Sequence, residues 1–122
     1  MKGQRNYRNI VAWQRAHEVT LRMYELTRTF PREETYGLSS QIRRASFSVA
    51  ANIAEGSGRE TDKDFLRFFY ISLGSLKEVD YATLLAYDLK YLNSELFEKL
   101  QTRLNQTFAA LQGLIKSVKQ KA

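Results

Sequence analysis

The 122-residue sequence has no cysteine and only one proline, one histidine and one tryptophan, and each scarcity excludes something. Without cysteine there is no disulfide scaffold, no thiolate zinc site and no cysteine nucleophile. A reducing compartment suits such a chain. No apolar run approaches the roughly 20 residues that a membrane span requires, and the opening MKGQRNYRN is basic and polar, with no apolar stretch behind it to form a signal peptide. The expectation is a soluble, cytoplasmic protein with no membrane partner. His17 has no HExxH pattern around it and sits beside the apolar position Ala16, which makes it a packing or boundary residue rather than a ligand. Gly56 and Gly58 belong to neither a GxxxxGK[ST] nor a GxGxxG loop. Glu55 has no second group placed for acid or base work. A non-enzyme without cofactor or metal is expected.

What the chain does have is positive charge and helical periodicity. The net charge is +6, and residues 1–59 hold ten Lys/Arg against five Asp/Glu, whereas residues 60–90 hold four against six. Residues 91–122 return to an excess of five over two. A basic excess of this kind attracts phosphates, although charged faces also serve solubility alone.

Ala12, Ala16, Val19, Met23, Leu26 and Phe30 step by three and four, the spacing of one helical stripe. Pro31 ends that helix, because it lacks an amide hydrogen and disfavours helical geometry before it. Leu38, Ile42, Ala45, Val49 and Ile53 repeat the pattern, and Gly56 and Gly58 are expected to close the second helix with left-handed geometry. Thr61 with Asp64 resembles a capping box and opens a third helix. Asn93 or Ser94 caps a fourth, in which Phe97, Leu100, Leu104, Thr107, Leu111, Leu114 and Val118 share a stripe. The predicted fold is a single all-α domain over residues 1–122, with helices at about 9–30, 35–55, 61–90 and 94–119, joined as an antiparallel up-down-up-down four-helix bundle.

Two stretches exceed what a bundle core needs. Phe65, Leu66, Phe68, Phe69, Tyr70, Ile71 and Leu73 leave the third helix almost no polar face, which implies deep burial or a subunit interface. In the second helix Gln41, Ala45, Ser48, Asn52 and Glu55 form a small, polar stripe beside the apolar one. Small residues let helices approach closely, and buried amides and hydroxyls must find partners. Ser48, Asn52, Glu55, Phe65, Phe68 and Phe69 are therefore candidate packing or oligomer residues.

The stretches FPREETYGLSSQIRRASFSVAANIAEGSGRE and FLRFFYISLGSLKEVDYATLLA closely resemble the bacterial four-helix-bundle family encoded within intervening sequences of 23S ribosomal RNA genes. That family is related to the accessory variability determinants of diversity-generating retroelements. The most specific elements are Phe30-Pro31 with Glu34, Gln41-Ile42-Arg43-Arg44-Ala45, Asn52-Ile53-Ala54-Glu55-Gly56, and Gly74-Ser75-Leu76 with Glu78. Ala50 departs from the family's common proline, which should straighten the second helix. The resemblance implies a left-handed bundle assembled as a homopentamer, with RNA binding suggested for the family and binding of a reverse transcriptase together with nucleic acid for the retroelement relatives.

The candidate nucleic-acid contacts are Arg5, Arg8, Arg15, Arg22, Arg43, Arg44, Lys116 and Lys119. Arg8, Arg15 and Arg22 recur every seven residues and share a face if the first helix reaches back to Arg8. Tyr7, and after it Trp13, are placed to stack on bases. Arg43 and Arg44 remain open between pairing with another helix and facing a phosphate. The expected partners are further copies of the chain, RNA or DNA, and in the alternative reading a reverse transcriptase; a structural oligomer with no nucleic-acid partner is the third.

Overall fold

The computed structural model describes residues 6–121. Helix α1 (Val11–Thr27) carries its expected stripe inward, and Ala12, Ala16, Val19, Met23 and Leu26 are all buried. Its expected limits of 9–30 are corrected at both ends. A separate 3-10 turn at Tyr7–Asn9 precedes it, tied by the Arg8 amide donating to Asn6 Oδ1 at 3.0 Å, and Ile10 is extended between the two. Arg8 therefore does not share a helical face with Arg15 and Arg22. At the far end the Thr27 hydroxyl returns to the Met23 carbonyl at 2.8 Å and that of Thr29 to Leu26 at 2.7 Å. The chain turns there before Pro31, yet Phe30 still reaches the core.

A second 3-10 turn, Arg32–Glu34, leads into α2 (Leu38–Ser57), which runs unbroken through Ala50. Its N-terminus is capped from outside: Glu34 Oε1 accepts from the Leu38 amide at 3.0 Å. The expected left-handed closure at the glycines is also corrected. Gly58 has φ −90 and ψ 0, and Gly56 lies within the last turn. What Gly56 provides is space, since a Cβ there would lie 2.9 Å from both Phe68 Cβ and Phe69 Cε1.

Helix α3 (Asp62–Asp88) starts at Thr61, whose hydroxyl accepts from the Asp64 amide at 3.2 Å. Asp62 and Asp64 in its first turn complement the helix dipole. It ends in a Schellman motif, with the Tyr91 amide donating to Ala86 O and the Lys90 amide to Tyr87 O, both at 2.9 Å. Lys90, at φ 68, takes the left-handed position that glycine commonly fills. Helix α4 (Ser94–Lys121) is opened by Asn93 Oδ1, which accepts from the Leu96 amide at 2.8 Å.

Each helix packs on its neighbours in sequence, and α1 closes the bundle against α4. The pairing is antiparallel throughout. Thr20 donates to Ser46 O while Thr27 accepts from Arg43 Nε; Ser48 meets Ser75 while Gly56 meets Phe69; Gln101 donates to Asp80 while Phe97 stacks on Tyr87. At the centre the Thr83 hydroxyl lies 4.0 Å from the Met23 sulfur.

The apolar excess of α3 is thereby divided. Phe65, Phe69, Leu76 and Val79 are buried in the chain's own core, whereas Tyr70, Tyr81 and Leu84 lie exposed on the outer face.

Candidate functional site

The polar stripe of α2 resolves into an interhelical network. Ser48 Oγ and Ser75 Oγ are 2.8 Å apart, and Asn52 Nδ2 donates to both Ser48 O and Ser48 Oγ, at 2.8 and 2.9 Å. One turn away the buried Ser72 hydroxyl donates to Val49 O at 2.6 Å. Small side chains bring α2 and α3 close, and these bonds satisfy the polar groups that the approach encloses. Glu55 stands outside the network, exposed and ion-paired with Arg59. Two guanidinium groups pack on the Phe68 ring, Arg59 at 4.6 Å and Arg67 at 4.5 Å from its centre.

The candidate phosphate contacts do not form one patch. Arg5 lies outside the described residues. Arg8 sits in the 3-10 turn, 5.7 Å from the Tyr7 ring centre. Arg15 is exposed on α1 and makes a long 3.4 Å bond to Gln106 of α4. Arg22 is gripped by Glu18 at 3.2 Å and Glu25 at 3.0 Å, so much of its charge is already neutralised. Arg43 ties α2 to the end of α1, with Nε donating to Thr27 Oγ1 at 2.7 Å and Nη2 to Tyr24 O at 3.3 Å, its guanidinium 4.7 Å from the Tyr24 ring centre. Arg44, Lys116 and Lys119 are exposed without partners among the described residues. The pairing of Arg22 with Glu18 and Glu25 was visible as i,i+4 and i,i+3 spacing; the backbone bond of Arg43 was not.

Two surface features had no clear signal in the sequence. Between α1 and α4, a groove of about 390 Å³ is lined by Arg15, Glu18, Arg103 and Gln106. Between α1 and α2, a strongly apolar groove of about 480 Å³ is lined by Trp13, His17, Leu21, Tyr24, Phe47 and Ala50, with Phe47 62% exposed. Trp13 stacks on His17 with ring centres 4.9 Å apart and meets the Tyr7 edge at 5.0 Å. Phe47 escapes an i,i+3/i+4 search because it lies off the core stripe of α2.

At the end of the bundle where α1 passes to α2 and α3 to α4, the Tyr91 hydroxyl donates to Glu34 Oε2 at 2.8 Å and its ring packs 5.2 Å from Phe30. The Leu38 amide and the Tyr91 hydroxyl hold the Glu34 carboxyl below the usual carboxylate range. The same bond to Glu34 raises the Tyr91 phenol. This latch accounts for the Phe30-Pro31 and Glu34 motif: Phe30 plugs the core, and Glu34 caps α2 while joining the two connections.

Among the described residues no group of three or more His, Asp or Glu is placed to hold a metal ion, and no helix is long and apolar enough to cross a membrane. The class defined by fold and surface is a small all-α bundle protein with a tight polar seam, an open apolar groove and scattered exposed cations. Residues 8–113 match the 23S rRNA-intervening sequence protein family, and the chain belongs to it. A solved structure of a protein with unknown function from the S23 ribosomal protein family of Bacteroides thetaiotaomicron VPI-5482 has the same fold, at TM-score 0.80 and 24% identity, covering 87% of this chain and 99% of that one. No curated protein matches the sequence.

Proposed function

We propose that the protein is a non-enzymatic homo-oligomer that binds RNA electrostatically along the α1–α4 seam. The observation that carries this reading is the open groove flanked by Arg15 and Arg103, neither paired with a carboxylate among the described residues. Phosphates approaching such cations displace counterions, which gives salt-sensitive and largely sequence-independent affinity. Arg8, Arg44, Lys116 and Lys119 lie outside this groove and add only to the overall positive charge, while Arg22 and Arg43 are engaged within the chain.

Assembly draws support from two apolar surfaces. One is the groove between α1 and α2, and the other is the outer face of α3 with Tyr70, Tyr81 and Leu84. Two unlike surfaces joined head to tail form a ring when the rotation between copies closes, which would give the homopentamer implied by the family. A protein partner such as a reverse transcriptase is the second reading, favoured by the same apolar groove.

The test is anisotropy with a structured ribosomal RNA fragment at several salt concentrations, with mass measured on the same sample. Replacing Arg15→Glu and Arg103→Glu should weaken binding and lower the logarithmic salt slope by about one for each phosphate no longer neutralised. Unchanged affinity in a folded double variant would sink the RNA reading. Phe47→Asp should dissociate the oligomer; an oligomer that persists places the interface elsewhere.

A further inference from the structure

We infer that the end of the bundle where α1 passes to α2 carries a phosphate-binding site, with Tyr36 beside it as a stacking surface for an attached base. A cavity of about 620 Å³ there is lined by Arg28, Arg32, Arg43, Ser39, Ser40 and Tyr36. The site is separate from the α1–α4 seam and does not depend on the reading proposed for that seam.

The donors converge from three elements. Arg28, just past the end of α1, and Arg32, in the 3-10 turn, are exposed and have no carboxylate partner among the described residues. Arg43 is held rigidly by Thr27 and the Tyr24 carbonyl, and these bonds leave its Nη1 unused. The amide of Leu38 is taken by Glu34, but those of Ser39 and Ser40, also in the first turn of α2, have no acceptor among the described residues. Free amides at a helix start favour anions.

A further donor is Ser39. It is only 8% exposed and lines the cavity, and its hydroxyl, which reaches the solvent there, has no partner among the described residues. A phosphate oxygen entering the cavity would take the place of water as its acceptor. The acidic neighbours do not block this. Glu34 is committed to the Leu38 amide and the Tyr91 hydroxyl, and Glu33 is exposed in the turn.

Several donors arranged around one cavity suit a group with three or more acceptor oxygens better than a planar carboxylate. Tyr36 then adds a reason to expect a base. It is 96% exposed, more than any other large hydrophobic side chain among the described residues, and an aromatic face left in water gains by stacking. A free nucleotide and a nucleic-acid strand share this chemistry.

Calorimetry on the full chain at low salt tests the site, with inorganic phosphate, adenosine monophosphate and a short unstructured RNA as probes. Phosphate and the monophosphate should bind, and Arg28→Glu with Arg32→Glu should weaken both by about tenfold or more, as expected when charge-assisted bonds are removed. Ser39→Ala, which keeps the helix, should weaken both by about fivefold, the effect of one hydrogen bond. Tyr36→Ala should weaken the monophosphate while leaving inorganic phosphate unchanged. Absence of binding to the wild type, or affinities unchanged in the helical double variant, would overturn the site. Weaker RNA binding in that variant identifies a strand as the source, and an effect confined to the monophosphate identifies a free nucleotide; both uphold the site. The Arg15→Glu, Arg103→Glu variant should keep its monophosphate affinity even if it never binds RNA, which separates failure of this site from failure of the seam.

Discussion

The seam between α2 and α3 and the seam between α1 and α4 are built from different materials. Along the first, Gly56, Ser48, Ser72 and Ser75 let the backbones approach, and the enclosed hydroxyls are bonded across the seam. Along the second, Arg15, Glu18, Arg103 and Gln106 line an open groove, bridged among the described residues by the exposed 3.4 Å bond from Arg15 to Gln106. A close seam has no tolerance for added volume, because protein interiors are already packed near crystal density. An open seam tolerates substitution and leaves its charges available to a ligand. Close packing and an open, charged surface thus lie on opposite sides of one small bundle.

The contrast can be broken by adding the same methyl group on each side. Gly56→Ala should be the larger effect: overpacking costs up to about 3 kcal/mol, which outweighs the gain in helix propensity of about 1 kcal/mol, for a net loss near 2 kcal/mol. Neither Phe68 Cβ nor the fully buried Phe69 ring can easily move aside. Gly113→Ala, on exposed α4 with nothing within 4 Å of the new Cβ, should instead stabilise by about 0.5–1 kcal/mol. Urea unfolding of the two variants reads both signs; a stabilised Gly56→Ala would show that the close seam has slack.

The smallest effect belongs to the Glu34–Tyr91 latch, which neither seam contains. Glu34 titrates lower in the folded chain, so its contribution is present above the ordinary carboxylate range and is lost as pH falls through its lowered value. Tyr91 titrates higher when folded, so its contribution is present below the ordinary phenol range and fades as pH rises through its raised value. Thermal unfolding of Tyr91→Phe against wild type should differ within that window and converge at both extremes. A difference independent of pH would mean that the hydroxyl bond contributes nothing beyond packing.

Helical periodicity made the all-α bundle legible. Every member of the stripe from Ala12 to Phe30 is buried, as are Ile42, Ala45, Val49 and Ile53. Boundaries were less legible, because the Thr27 and Thr29 hydroxyls and Glu34 act through local bonds that no apolar pattern records. Gly56 was seen as a helix closer, when its reason is an aromatic pair on another helix. Glu55 lacked an evident partner from the stripe, although Arg59 stands four residues on.

The sequence by itself determined four amphipathic helices, their short connections and the surplus of positive charge, since each follows from spacing and composition along one chain. Only the tertiary structure decided that Arg43 is engaged. It looks like Arg28 in a linear reading, but the Thr27 hydroxyl and the Tyr24 carbonyl hold it. The tertiary structure also decided that Ser48, Asn52 and Ser75 bond to one another while Ser39 faces a cavity unpaired. Periodicity assigns a residue to a face of its helix; what lies opposite that face depends on the packing of helices distant in sequence.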